Sequence, residues 1–156
     1  AGIRELAKAV YQNYRNIQEA LDGYTDWTPD GLPIYNIVST LEDWILFSPM
    51  TQQRLAAYVL EWLQAKRMDP TIVDRIPYSI CCAYELEELV FAWRDRTVQG
   101  VMADRHGGAH NRWMIGPYLR ANFENVRQRA HELLTPESEA MFAEIEAIVK
   151  AGSPEP

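Results

Sequence analysis

The sequence predicts an all-α protein that folds as a compact bundle of six to seven helices. Along most of the chain, apolar residues recur at spacings of three and four, as on one face of a helix. A short polar residue followed by proline, which is a common helix start, occurs three times. No short run of residues alternates apolar and polar side chains between turn signals, so the sequence indicates no strand.

A chain of 156 residues is expected to form one domain, here residues 1–152, followed by a frayed tail at 153–156. The first predicted helix covers 3–21 and ends at Gly23. Its apolar face consists of Ile3, Leu6, Val10, Tyr14, Ile17 and Leu21. Residues 23–36 then carry two prolines, an Asp-Gly turn and three aromatic residues, which predict a loop. These aromatic side chains either hold the loop against the helices or bind a partner.

The remaining helices follow from the same two signals. The three proline starts are Ser48-Pro49, Asp69-Pro70 and Thr135-Pro136. Apolar spacing predicts three more helices, which cover 36–47, about 79–103, and 117–134 after Gly116-Pro117. The helix at 79–103 is the longest of the set and is predicted to lie at the centre of the bundle.

The composition excludes several classes of protein. With 47% hydrophobic and 24% charged residues, the chain is neither intrinsically disordered nor a disulfide scaffold. Its formal charge of -7 argues against a protein that wraps duplex nucleic acid, because that function needs a basic surface over much of the molecule.

The two cysteines, Cys81 and Cys82, are adjacent, and a disulfide between neighbours would be strained. We therefore predict two buried thiols in a reducing compartment. The sequence has neither a signal-peptide pattern nor an apolar run long enough to span a membrane. These features predict a soluble, cytoplasmic protein without membrane contact.

The charge is unevenly distributed along the chain. Residues 94–131 hold seven arginines against three acidic residues, which gives this segment a formal charge of +4 and leaves -11 on the rest. All three histidines lie in the same segment. Because a guanidinium group suits bidentate recognition of carboxylate or phosphate, we expect any anion-binding site to lie here.

The centre of this basic segment is the sequence DRHGGAHNRW at 104–113. Its two adjacent glycines oppose a helix, so we predict an ordered loop whose backbone permits close approach by a ligand. The candidate binding residues are Asp104, Asn111, Arg112 and Trp113 in the loop, Arg120 on the following helix, and Trp27 in the 23–36 loop.

The string Arg105-His106-Gly107-Gly108-Ala109-His110 has the form R-[N/H/D]-x-x-x-H. It resembles the short motif of the HEPN superfamily, whose members are small all-α domains and often metal-independent ribonucleases that work as dimers. The resemblance covers six residues. It implies that His110 is a general acid and base, that Arg105 stabilises charge on the phosphorane, and that His106 occupies the polar second position.

Two further hypotheses account for the basic segment. In the metal hypothesis, His106 and His110 bind a metal together with Cys81, Cys82, His131 or Asp104, but no CxxC or HExxH spacing supports this. In the pairing hypothesis, the arginines pair with Glu85, Glu87, Glu88 and other acids, and the segment binds nothing. The sequence indicates no cofactor and no metal.

The preferred interpretation is a helical interaction or regulatory module that uses the 104–113 loop as a localised basic binding site. Five Trp and eight Tyr exceed the needs of one core, and surplus aromatic side chains are frequent in interfaces. We expect a protein partner, with a second copy of this chain as one candidate. Contact with nucleic acid is expected only at 94–131, and only a HEPN-like ribonuclease would make the protein an enzyme.

Overall fold

The computed structural model describes residues 2–27, 30–41, 48–107, 110, 114–129 and 143. This part of the chain is mostly helical and contains one small parallel sheet of two strands. Its elements are, in chain order, α1 (Gly2–Leu21), β1 (Asn36–Thr40), α2 (Pro49–Ala65), α3 (Ile72–Arg75), β2 (Tyr78–Cys82), α4 (Ala83–Asp95), α5 (Val98–His106) and α6 (Ile115–Asn122). The helical character is as predicted, but the prediction of an all-α fold is wrong.

The first helix agrees with its sequence prediction. Helix α1 ends just before Gly23, which has a positive φ of 79° and so turns the chain without the penalty that a Cβ would bring. The Asp-Gly turn of the following loop is also present. Gly31 has a φ of 81°, and the Asp30 carboxylate accepts a hydrogen bond from the Leu32 N–H at 3.0 Å.

The predicted helix at 36–47 is wrong over its first five residues, which form strand β1. Ile37, Val38 and Thr40 are β-branched, and such side chains fit a strand better than a helix. The spacing of three and four residues between these side chains and later apolar residues therefore does not reflect a helix at 36–40. The rest of the predicted helix, at 42–47, lies outside the described residues.

The predicted central helix at 79–103 is also wrong, because this stretch forms a strand and two helices. Strand β2 ends at Cys82, which is the N-cap of α4. Helix α4 ends before Arg96, and Thr97 begins α5 by accepting a hydrogen bond from the Gly100 N–H at 3.1 Å. A short buried strand and a buried helical segment have the same apolar pattern, so spacing alone could not separate them.

The sheet lies between two hydrophobic cores. The first core is formed by Leu6, Ala7, Val10, Tyr11, Tyr14, Val38, Leu55, Val59, Leu63, Ile72 and Ile80. The second core is formed by Cys81, Leu89, Phe91, Ala92, Val101, Met102, Ile115, Tyr118, Leu119, Phe123 and Val126. Because successive side chains of a strand point to opposite faces, Ile80 enters the first core and Cys81 enters the second.

The two strands run parallel, with Val38 opposite Ile80 and Ser39 opposite Cys81. Parallel strands need a long crossover connection, and here the segment that contains α2 and α3 makes it. Both thiols of β2 are buried and free, as the sequence predicts. Burial raises the pKa of the Cys81 thiol to about 12, so this thiol is not a reactive thiolate.

An ion cluster of two buried carboxylates and one partly exposed arginine joins α4 to α6. The guanidinium Nη1 of Arg120 lies 3.2 Å from both carboxylate oxygens of Glu88, and its Nη2 lies 3.7 Å from Glu85 Oε1. The carboxylate of Glu85 also accepts a hydrogen bond from the Cys82 N–H at the start of α4. Gly116 makes room for this cluster, because a Cβ at that position would overlap the side chains of Glu85 and Arg120.

Helix α6 is shorter than the predicted helix at 117–134. It begins at Ile115 and ends at Asn122, and Asn125 then adopts a φ of 53° before a new helical stretch at 126–129. The continuation of that helix and the start at Thr135-Pro136 lie outside the described residues. Among the described helices, none combines the length and the apolar character needed to cross a membrane.

The ion cluster predicts a large effect of Arg120→Met on stability. Glu85 is 7% exposed and Glu88 is 2% exposed, so the variant leaves two buried carboxylates without their nearest cation. Because the Arg120 side chain is 40% exposed and solvent partly screens its charge, we expect the free energy of unfolding at pH 7, measured by urea denaturation, to fall by about 2 kcal/mol, between the values for exposed and buried pairs. Adding Glu88→Gln to this variant should restore part of the lost free energy of unfolding.

The matched control is Arg15→Met, which removes an exposed i,i+4 pair with Glu19. It should cost less than about 1 kcal/mol, because solvent screens such pairs. An Arg120 variant no less stable than this control would show that the cluster contributes little.

Candidate functional site at the end of helix α5

The last two residues of α5, Arg105 and His106, line one cavity together with the first turns of α2 and with strand β2. The cavity lies between these elements, has a volume of about 460 Å³ and is open to solvent on one side. The described residues that line it are Pro49, Gln52, Gln53, Leu55, Ala56, Val73, Pro77, Tyr78, Ser79, Ile80, Arg105, His106 and Met114. A concave space with a few polar groups on apolar walls is the usual form of a ligand site.

The polar end of the cavity is formed by His106 and Ser79. His106 Nε2 lies 3.3 Å from Ser79 Oγ, and either group can donate, depending on the tautomer of the imidazole. Burial, together with the neighbouring Arg105 charge, lowers the pKa of His106 to about 4. The imidazole is therefore neutral at pH 7, and it offers one donor and one acceptor without a charge.

Arg105 brings a positive charge to the same wall. The residue is only 8% exposed, and burial lowers the pKa of its guanidinium, an effect that Tyr118 partly opposes. The group remains charged at any physiological pH. Among the described residues that line the cavity, no other carries a formal charge at pH 7.

A second polar group surrounds Asp104, one residue before Arg105. The Tyr118 hydroxyl donates a hydrogen bond to Asp104 Oδ2 at 2.7 Å, and His110 Nδ1 lies 3.7 Å from Asp104 Oδ1. The His110 ring meets the Tyr118 ring edge to face, with 5.3 Å between the centroids. Burial and the Asp104 carboxylate both raise the pKa of Tyr118, so its hydroxyl stays protonated and donates to Asp104.

The structure brings some predicted site residues together and separates others. Arg105 and His106 share the cavity, while Asp104 and His110 form the neighbouring group. Arg120 belongs to the ion cluster with Glu85 and Glu88, as the pairing hypothesis expects. Trp27 is 43% exposed in the 23–36 loop, and Asn111, Arg112 and Trp113 lie outside the described residues.

Other arginines of the basic segment are also engaged within the chain. Arg129 forms two short hydrogen bonds to the Asp95 carboxylate, at 2.6 and 2.9 Å. Arg96 lies 3.9 Å from Asp104 Oδ2 and stacks over the Phe123 ring. The positive charge of 94–131 is thus distributed over several internal contacts, and among its described residues Arg105 is the cation that lines the cavity.

Sequence reasoning missed the residues that complete the site. The apolar spacing places Ser79 in a helix, and Gln52, Gln53 and Ala56 show no pattern that separates them from an ordinary helix surface. The only available signal is the helix start at Ser48-Pro49, which positions α2 but does not indicate what its first turns face.

The described residues also bear on the metal hypothesis. Within them, no three His, Cys, Asp or Glu side chains are grouped closely enough to hold a metal ion. His131, which the hypothesis includes among the possible ligands, lies outside this part of the chain.

Comparisons with known proteins identify no relative of this chain. The similarity to the HEPN motif therefore rests on residues 105–110 alone. No family model, curated protein or solved structure matches this chain.

Proposed function

We propose that this protein is an interaction module that binds an anionic group of its partner in the cavity beside Arg105 and His106. The prediction of a loop over 104–113 is wrong at residues 104–106, which are the last residues of helix α5, and in this proposal Arg105 at that helix end forms the basic side of the binding site. The observation that carries the proposal is the position of Arg105, a buried cation in the cavity wall, where the other described lining residues are uncharged at pH 7. A charge-assisted hydrogen bond to a partially buried cation is stronger than one between neutral groups.

The charge distribution supports a localised contact. Outside 94–131 the chain carries -11, so an extended polyanion would be repelled over most of the surface. A single anionic group on a protein partner, or on a second copy of this chain, avoids that repulsion. The free, buried thiols of Cys81 and Cys82 support a cytoplasmic location, where thiols stay reduced.

The test is recovery of partners from the source cell with three baits. These are the wild type, Arg105→Gln combined with Arg112→Gln, and the control Arg15→Gln, whose side chain is exposed on α1. We expect the wild type and the control to recover the same partners, less at high salt because salt screens the ionic contact. The double variant, checked for folding by circular dichroism, should lose them. Recovery of the same partners by the folded double variant would refute the proposal.

A second candidate function is metal-independent RNA cleavage by the 105–110 motif. The observation that favours it is the Asp104 carboxylate beside His110, which is suited to orient an imidazole for proton transfer. Arg105 follows Asp104 directly in the chain and can supply the cation that a phosphorane requires.

This candidate predicts cleavage of a mixed RNA pool by the purified protein in EDTA. His110→Ala should abolish cleavage, because the general acid and base is lost, whereas Arg15→Gln should leave it unchanged. The measurement is the size distribution of end-labelled RNA over time. Intact RNA with the wild-type protein would remove the enzymatic function for the sequences in the pool.

A further inference from the structure

We propose that Ser79 and His106 form a catalytic pair that hydrolyses esters of apolar carboxylic acids, with Ser79 as the nucleophile and His106 as the general base and acid. The two residues are 27 positions apart in the chain, and the fold brings their side chains together in the cavity wall. This activity needs neither a protein partner nor a contact with Arg105, so it goes beyond the proposed function and does not depend on it.

The two side chains are close enough to exchange a proton. Ser79 Oγ lies 3.3 Å from His106 Nε2, and a catalytic hydrogen bond of this length tightens when a substrate binds. When the imidazole proton is on Nδ1, Nε2 accepts the hydrogen bond from the Ser79 hydroxyl, as a general base must. Ser79 lies in strand β2 and His106 in helix α5, so regular elements rather than a loop position the pair.

The imidazole is in the protonation state that the reaction requires. The pKa of His106, lowered to about 4, leaves the ring neutral at pH 7 and able to accept a proton. The other titratable groups of the described wall are Arg105 and Tyr78, and burial raises the pKa of the Tyr78 hydroxyl, which stays protonated. A base of low pKa accepts a proton weakly, which favours esters with a good leaving group over amides.

The cavity is suited to an apolar acyl group. Ser79 is 1% exposed and lines the cavity, so a substrate reaches its hydroxyl through this space. An aliphatic chain would cover the apolar part of the wall and hold the ester carbonyl beside Ser79. Gln53 adds a side-chain amide to the same wall, and donors of this type stabilise an oxyanion. The apolar residues of the wall include Leu55, Val73, Ile80 and Met114.

The reaction consumes one water for each ester. His106 Nε2 takes the Ser79 hydroxyl proton while Oγ forms a bond to the carbonyl carbon, and the resulting intermediate expels the alcohol oxygen, which receives that proton. Water then attacks the acyl-serine and gives one proton to Nε2. The acyl–oxygen bond breaks, the carboxylic acid leaves, and Oγ recovers its proton from the imidazolium.

The experiment measures hydrolysis of p-nitrophenyl hexanoate by the full chain at pH 7, from the release of nitrophenol. We expect Ser79→Ala and His106→Gln, each checked for folding by circular dichroism, to lower kcat/KM by at least about a hundredfold. The matched control is Ser48→Ala, which removes an exposed hydroxyl that makes no cap hydrogen bond and should leave the rate unchanged. Wild-type hydrolysis no faster than that of Ser79→Ala would overturn the proposal.

A covalent probe tests the nucleophile in the wild-type protein, without relying on a variant that folds. An alkyl fluorophosphonate bonds to a nucleophilic serine oxygen and releases fluoride. Mass spectrometry of the digested protein should place the adduct on Ser79. An adduct on other residues alone, or none at all, would contradict the assignment of the nucleophile.

The length of the acyl chain tests the substrate class. Because the wall is largely apolar, kcat/KM should be at least about tenfold higher for p-nitrophenyl hexanoate than for the acetate. Ala56 lines the cavity but is exposed, so Ala56→Phe should fill the space without disturbing a core and should abolish this preference. Equal rates for the two esters, or a preference that Ala56→Phe leaves intact, would place the acyl group outside the cavity.

The pH profile identifies the base. Protonation of His106 removes the acceptor, so kcat/KM should stay level from pH 7 to about pH 5.5 and fall only as the pH approaches the pKa of about 4. A histidine with an ordinary pKa near 6.5 would instead lose about tenfold over the same interval. Such a loss would exclude His106 as the base and overturn the proposal.

Discussion

The structure depends on strand β2, which is buried on both faces between two hydrophobic cores. Four of its five residues, from Ser79 to Cys82, are buried, and Ile80 and Cys81 contribute to opposite cores. Within the described part of the chain β2 pairs with β1, and the parallel ladder and the two apolar faces together hold it in position. Burial of large apolar side chains on both faces of one strand couples the α1–α2 side of the molecule to the α4–α6 side.

The candidate site is a direct consequence of this arrangement. Ser79 lies one residue before Ile80 in β2, which places its hydroxyl beside His106 at the end of α5. Helix α4 begins where β2 ends, and its buried glutamates bind Arg120 on α6. The arginines of the basic segment consequently have different roles. Arg120 stabilises the contact between two helices, whereas Arg105 supplies the charge of the cavity wall.

The sequence was sufficient to predict the helices that depend on local signals. Helix α1 has a regular apolar face and a glycine stop, and α2 has a proline start. The strands could not be predicted in this way, because each has only five residues, too few to show a period that distinguishes a strand from a helix. The concentration of arginine and histidine at 94–131 indicated Arg105 and His106 as candidate site residues. Ser79 and the α2 residues meet them through tertiary contacts, such as the one between Ser79 and His106 across 27 residues, which no local pattern encodes.

The most direct test of this account is native-state hydrogen exchange of the amides in the β1–β2 ladder. If β2 couples the two cores, these amides exchange only when the whole molecule unfolds, and their opening free energy equals the free energy of unfolding measured with denaturant. Amides in the middle of α1, such as that of Val10, should give the same value. Ladder amides that open at a clearly lower free energy than Val10 would show that the two cores unfold separately, and would contradict the account.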